Sequence, residues 1–237
     1  MDQSHPATDN PPETLYRIAF VCCVVFVVLG TISDLLFVAA FQFRVDWFMD
    51  PALAITGGEA TATLLRWAAL TDLLSYYLPM APIALALRQL VRHRDPGLAD
   101  LATLGALGYV IAGGIGAAAL AWAAPELIRQ YAAGGPGAPV AEANFRLLFE
   151  IVFRAIWQTL NGFLLTAWFL GLGSLLRQDY PRFATLNLAL GVIVLVGTPL
   201  NFLGFGLARD VGAGVIFVLW FAWGVWLAIL LRRHGLS

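Results

Sequence analysis

The sequence predicts an all-α membrane protein: one bundle of six transmembrane helices with both termini cytoplasmic. Of 237 residues, 60% are hydrophobic and only 12% charged, against about 25% charged in an ordinary soluble domain. Mean hydropathy is +0.79. Apolar runs long enough to cross a bilayer recur along the chain, separated by short segments rich in Arg, Asp, Gly and Pro. A formal net charge of −1 predicts no nucleic-acid partner; the lipid bilayer is the expected one.

Residues 1–15, MDQSHPATDNPPETL, are polar, acidic and Pro-rich, and are expected to form a flexible tail. They lack the basic start of a secretory signal, and the apolar run that follows is too long for one. Residues 16–237 then form a single six-helix domain. Span one covers about 17–43 and is interrupted by Thr31, Ser33 and Asp34. Residues 44–61 read as a connection with Trp47 as an interface anchor. Span two, about 62–90, carries Arg66, Asp72 and Ser75, and Pro79 with Pro82 predicts a kink. Residues 91–100, VRHRDPGLAD, form a charged loop.

Span three, about 101–124, sets Gly105, Gly108, Ala112 and Gly116 on one face, suited to close helix contact within the bundle or to a homo-oligomer. Pro125 is expected to end it, and residues 126–145, with AAGGPGAP, to form a mobile loop. Span four is about 146–176, followed by a tight loop, RQDYPR, at 177–182. Span five, about 183–208, holds Asn187, Thr198, Pro199 and Asn201. Arg209 and Asp210 make a short turn before span six, about 211–231, whose Trp220, Trp223 and Trp226 read as lipid-facing surface.

All fourteen basic residues are Arg. Eight of them, Arg17, Arg88, Arg92, Arg94, Arg177, Arg182, Arg232 and Arg233, fall at one set of ends, which the positive-inside rule makes cytoplasmic. Lys-free, Ala- and Gly-rich usage is the composition associated with a high-GC bacterial genome. The absence of Lys also excludes retinal and pyridoxal Schiff bases. His5, His93 and His234 lie in the tail, a loop and the C-terminus, so no haem or His-based zinc site is expected, and no cofactor. No Ser has a His partner within a span, which disfavours an enzyme. Cys22 and Cys23 read as small packed hydrophobes.

The polar residues inside the spans are the candidate functional set. Glu150, Arg154, Gln158 and Asn161 stand four, four and three apart, which stacks them on one face of an α-helix. Asp34 and Asp72 lie inside spans one and two. A charge at the bilayer centre costs about 2.5–3.5 kcal/mol on insertion scales, so Asp34, Asp72 and Arg154 should face the bundle and pair. Two carboxylates and one guanidinium leave a negative charge over. Either one Asp holds a proton, or Arg66 completes the set, or a cation binds. Thr198 and Asn201 could join the cluster from span five.

LRWAALTDLL (65–74) and FRAIWQTLNGFL (153–164) form a weak internal repeat, each with an Arg about two turns before Asp72 or Asn161. The features LLRWAALTDLL (64–74), ALALR (84–88), NGFLLTAWFLGLGSLLR (161–177) and YPRFATLNLALGVIVLVG (180–197) resemble the bacterial six-helix membrane proteins filed as domain of unknown function 4386. That resemblance implies six spans in a bacterial inner membrane and brings no substrate or catalytic residue. The function expected is binding or carrying a small amphipathic or lipid-like solute in a polar pocket open to the outer side. The alternative is a structural or accessory protein whose buried charges only hold helices together. A lipid-modifying enzyme is a third reading.

Overall fold

A computed structural model describes residues 13–203 and 206–235, with the side chains at 48–49, 201–202, 206–217 and 234–235 outside the described set. Every regular element in it is helical: α1 (Glu13–Ala40), α2 (Val45–Met49), α3 (Gly58–Asp72), α4 (Met80–Val91), α5 (Pro96–Ala132), α6 (Ala138–Phe149), α7 (Asn161–Leu176), α8 (Pro181–Phe202) and α9 (Gly206–Gly235). Leu73–Tyr77 joins α3 towards α4, and Glu150–Leu160 joins α6 to α7, both as π-helix. Five stretches are long and apolar enough to cross a membrane: Glu13–Ala40, Pro51–Val91, Pro96–Ala132, Gly135–Leu176 and Pro181–Leu200. α9 is a further helix of 30 residues.

The helices follow one another around a ring, and α9 returns to pack on α1. Their outward faces are apolar. Ile18, Val21, Val28 and Leu35 of α1 and Leu101, Leu104, Ile111 and Ile115 of α5 are exposed at helical spacing. The inside holds Ser33, Asp72, Ser75, Thr103, Asn161 and Asn187. Apolar outside with polar groups within is the arrangement that lipid as solvent selects.

Two hydrophobic clusters fill the bundle. One takes in Tyr16, Phe26, Leu87, Trp168, Phe169, Phe183 and Trp223, at the end where α1, α5 and α8 begin. The other takes in Phe41, Trp47, Ile55, Leu65, Leu120, Ile128, Phe145 and Phe149. On spans one, two and four the buried residues of the two clusters are separated by a gap, and the gaps contain Ser33 and Asp34, Asp72, and Asn161. The gaps share one register. Asp34 is seventeen residues from Arg17, Asp72 sixteen from Arg88, and Asn161 sixteen from Arg177. At about 1.5 Å per residue these groups form a layer roughly 24 Å from the Arg-rich end.

Several boundaries differ from the sequence reading. Glu13–Leu15, assigned to the tail, already belong to α1, where Glu13 complements the helix dipole. The 44–61 connection is mostly helical, and Trp47 is 2% exposed. It is a core residue, with the Arg44 guanidinium 4.9 Å from its ring centroid. α5 starts at Pro96, capped by Asp95, which accepts from the Leu98 N–H at 3.0 Å. It runs through Pro125, whose missing N–H removes one bond, because Ile128 beyond it is fully buried in the second cluster. The 126–145 loop shrinks to 133–137 between α5 and α6. Arg209 and Asp210 lie within α9, since the chain turns at Leu203. Trp220 and Trp223 are buried, not lipid-facing; Trp226 is 39% exposed.

The glycine face of α5 seats α7. A Cβ on Gly105 would come within 2.7 Å of the Leu164 carbonyl oxygen, and on Gly108 within 2.8 Å of Leu164 Cδ2. Gly116 lies against Trp157. The Pro79–Pro82 kink is present as a break. The Leu78 N–H reaches back five residues to Leu73 O at 3.1 Å, and α4 restarts at Met80.

Candidate functional site

The polar layer is built where two spans leave α-helical geometry. In span two, Asp72 closes α3 and Tyr76 and Tyr77 lie in the π-helical turn after it. The Tyr76 hydroxyl donates to Asp34 Oδ2 at 2.6 Å, tying span two to α1. One helical turn further along α3, Ser33 Oγ donates to the Ala68 carbonyl at 2.9 Å. Tyr77 turns the other way, onto α5. Its ring centroid is 5.0 Å from that of Tyr109.

In span four the π-helix is accompanied by an aromatic spine. Phe145, Phe149, Phe153 and Trp157 stand four apart, with successive ring centroids at 4.7, 4.9 and 4.7 Å. At its end the Trp157 indole N–H donates to the Gly113 carbonyl at 3.2 Å. Thr159 Oγ1 donates to the Arg154 carbonyl, five residues back, at 2.7 Å, which supplies a partner where the α-helical ladder is interrupted. Asn161 then opens α7 and is 2% exposed. Gly113 brings the two spans together. A Cβ there would overlap Tyr77 Cε1 and lie 2.6 Å from Asn161 Nδ2.

Two oxygens of this layer are enclosed without a hydrogen-bond partner: Asp72 Oδ2 and Asn161 Oδ1. Asp72 is 8% exposed. Each lies beside a π-helical segment, and such segments cluster at functional sites. Among the described residues no ion pair joins an arginine to either the Asp34 or the Asp72 carboxyl group.

The predicted Arg partners are therefore elsewhere. Arg154 faces outward and pairs with Glu150, Nε to Oε2 at 3.3 Å, with side chains 59% and 48% exposed. Over seven residues an α-helix makes nearly two turns, which would put Arg154 and Asn161 on one face. The wider π turns make only about one and a half, so Asn161 emerges on the buried side while Arg154 stays out. The expected stripe is thus split: Glu150 and Arg154 exposed, Gln158 half-buried, Asn161 inside. Arg66 is half-buried, its Nε has no partner, and no ion pair joins it to Asp34 or Asp72. Thr198 is buried against Gly162, next to Asn161. The Asn201 side chain lies outside the described residues.

Sequence reasoning missed Tyr76, Tyr77, Tyr109 and Trp157. Two signals were present. Tyr76 and Tyr77 sit one turn beyond Asp72 and just before Pro79. The aromatic period of four at 145, 149, 153 and 157 exceeds the 3.6 of an α-helix and marks wider turns. A second buried bridge was also missed: Asn187 Oδ1 accepts from Trp223 Nε1 at 3.0 Å, joining α8 to α9. Among the described residues no group of three or more His, Cys, Asp or Glu could hold a metal. No family model, curated protein or solved structure matches this chain.

Proposed function

We propose that this chain is a six-span protein of the bacterial inner membrane, of the kind its resemblance to domain of unknown function 4386 implies, with both termini cytoplasmic. Its role is to bind or carry a small amphipathic solute in the polar layer reached from the outer side. One observation carries this reading: Asp72 Oδ2 and Asn161 Oδ1, on two different spans, are both buried acceptors without donors. A buried unsatisfied polar atom costs about 1–3 kcal/mol; Arg66 Nε and Trp168 Nε1 are also unpartnered, but among the described residues only Asp72 and Asn161 bring two such oxygens to one depth. Helices interrupted near their polar residues are also how many carriers build a substrate site.

The test uses purified protein in lipid nanodiscs and a panel of small amphipathic solutes read by calorimetry. Asp72→Asn and Asn161→Leu should abolish binding while the protein stays folded and abundant. The competing scaffold reading has its own support, because Tyr76–Asp34 and Ser33–Ala68 already tie span two to α1. On that reading no solute binds, and the same substitutions act only on yield and melting temperature.

A further inference from the structure

We infer that the solute accepted by this layer is a small organic cation bearing N–H donors, an alkyl- or arylammonium, held by Asp72 and Asn161 against a wall of aromatic rings. This rests on the layer being a binding site, and adds what it selects.

The unmet groups at the layer set the chemistry. Among the described residues four enclosed polar atoms lack a partner. The donors Arg66 Nε and Trp168 Nε1 stand six and seven positions along the chain from Asp72 and Asn161, and the two in the layer, Asp72 Oδ2 and Asn161 Oδ1, are oxygens that a donor would satisfy. The Trp157 N–H beside Asn161 is already given to Gly113 O, and the Tyr76 hydroxyl to Asp34. Charge points the same way. The titratable groups packed around the layer are Asp34 from α1, Tyr76 and Tyr77 from span two, and Tyr109 from α5. None of these is a cation. An anionic solute would meet two acidic side chains with no arginine paired to either; an ammonium ion brings the N–H donors their oxygens lack and charge of the opposite sign.

The walls favour an organic cation over a bare ion. Tyr77 lies 5.0 Å from Tyr109 and 6.5 Å from Trp157, centroid to centroid, and Phe26 lies 5.1 Å from Tyr76. Ring faces attract ammonium groups and also bury the hydrocarbon that such a cation carries. A hard metal ion instead wants about six or more oxygens, and the described residues offer no such set.

The experiment titrates nanodisc-embedded full-length protein with methylammonium, phenethylammonium and octylammonium. Neutral 2-phenylethanol and anionic 3-phenylpropionate serve as shape controls, all by calorimetry at neutral pH. At least one ammonium should bind, with 2-phenylethanol at least tenfold weaker than phenethylammonium and 3-phenylpropionate silent. Asp72→Asn should weaken ammonium binding at least tenfold and leave any 2-phenylethanol binding unchanged. Asn161→Leu, on another helix, should give the same tenfold loss and serves if Asp72→Asn folds poorly. Arg154→Gln should change nothing. If a neutral or anionic probe binds as tightly as the ammonium ions, or both variants keep ammonium affinity, the cation assignment is overturned and the site remains. If no probe of any charge binds, the site reading falls with it.

Discussion

At the residue scale, burial decides which polar groups matter. The Tyr76–Asp34 bond crosses from span two to α1 inside the bundle, and its partners are 42 positions apart in the chain. Interhelical hydrogen bonds in membranes average about 0.6 kcal/mol and reach about 1.7. Tyr76→Phe should therefore cost about 1 kcal/mol, read as a lower melting temperature in detergent. An unchanged melt would mean the bond is not formed. The Glu150–Arg154 pair is the opposite case. It is half exposed and lies within one turn, so Arg154→Gln should shift stability by less than about 0.5 kcal/mol. A large loss in the same melt would place Arg154 inside the bundle after all.

At the scale of elements, the α5–α7 seam shows how small residues set the distance between helices. Gly105 faces backbone, with the Leu164 carbonyl oxygen 2.7 Å from where a Cβ would sit, and backbone does not yield as a flexible side chain can. Gly105→Ala should cost about 1–3 kcal/mol, the usual range for overpacking. Gly197 lies in α8 with no atom within 4 Å of a Cβ. Gly197→Ala should stabilise by about 0.4–1 kcal/mol, because it only restricts the unfolded chain. Chemical denaturation of the two variants side by side tests both signs, and equal effects would contradict the seam. The π-helical segments belong to this scale too, since a change in turn width rotates everything beyond it. That rotation, not the spacing in the sequence, separates Asn161 from Arg154.

At the scale of the whole molecule, ion pairs mark the two ends. Arg94 binds Asp179 at 2.6 Å and Arg88 binds Asp100, so the 92–95 and 177–180 loops meet at one end. Arg129–Glu59 at 2.6 Å and Arg146–Asp50 at 3.6 Å lie at the other. α5 has 37 residues, about 55 Å at 1.5 Å per residue, well beyond a hydrocarbon core of roughly 30 Å. The second cluster around Trp47 and Phe145 lies towards the end opposite the Arg-rich one. Single cysteines at His93 and Ala133, in a background without Cys22 and Cys23, should label from opposite sides of intact cells, His93→Cys from inside. Labelling of both from one side would refute the ring topology.

The sequence by itself determined the helices, because in lipid each span must satisfy its own backbone hydrogen bonds and an apolar run has no other choice. The helix starts at Pro96 and Pro181 fall inside segments that read as loops, 91–100 and 177–182, although Asp95–Pro96 carries a local capping signal. The sequence identified Asp34, Asp72 and Asn161 as groups needing an explanation, since their cost in lipid depends only on what they are. The tertiary structure alone decided their partners. Asp34 meets Tyr76, Trp157 meets Gly113 and Asn187 meets Trp223 across 42, 44 and 36 positions, and no local pattern encodes such pairs. It also decided where the helices widen. The π turns run alongside the Phe145–Trp157 spine, where Phe37 of α1 lies 6.2 Å from Trp157. The wider turns send Arg154 outward, and Asp72 and Asn161 are left facing inward without donors.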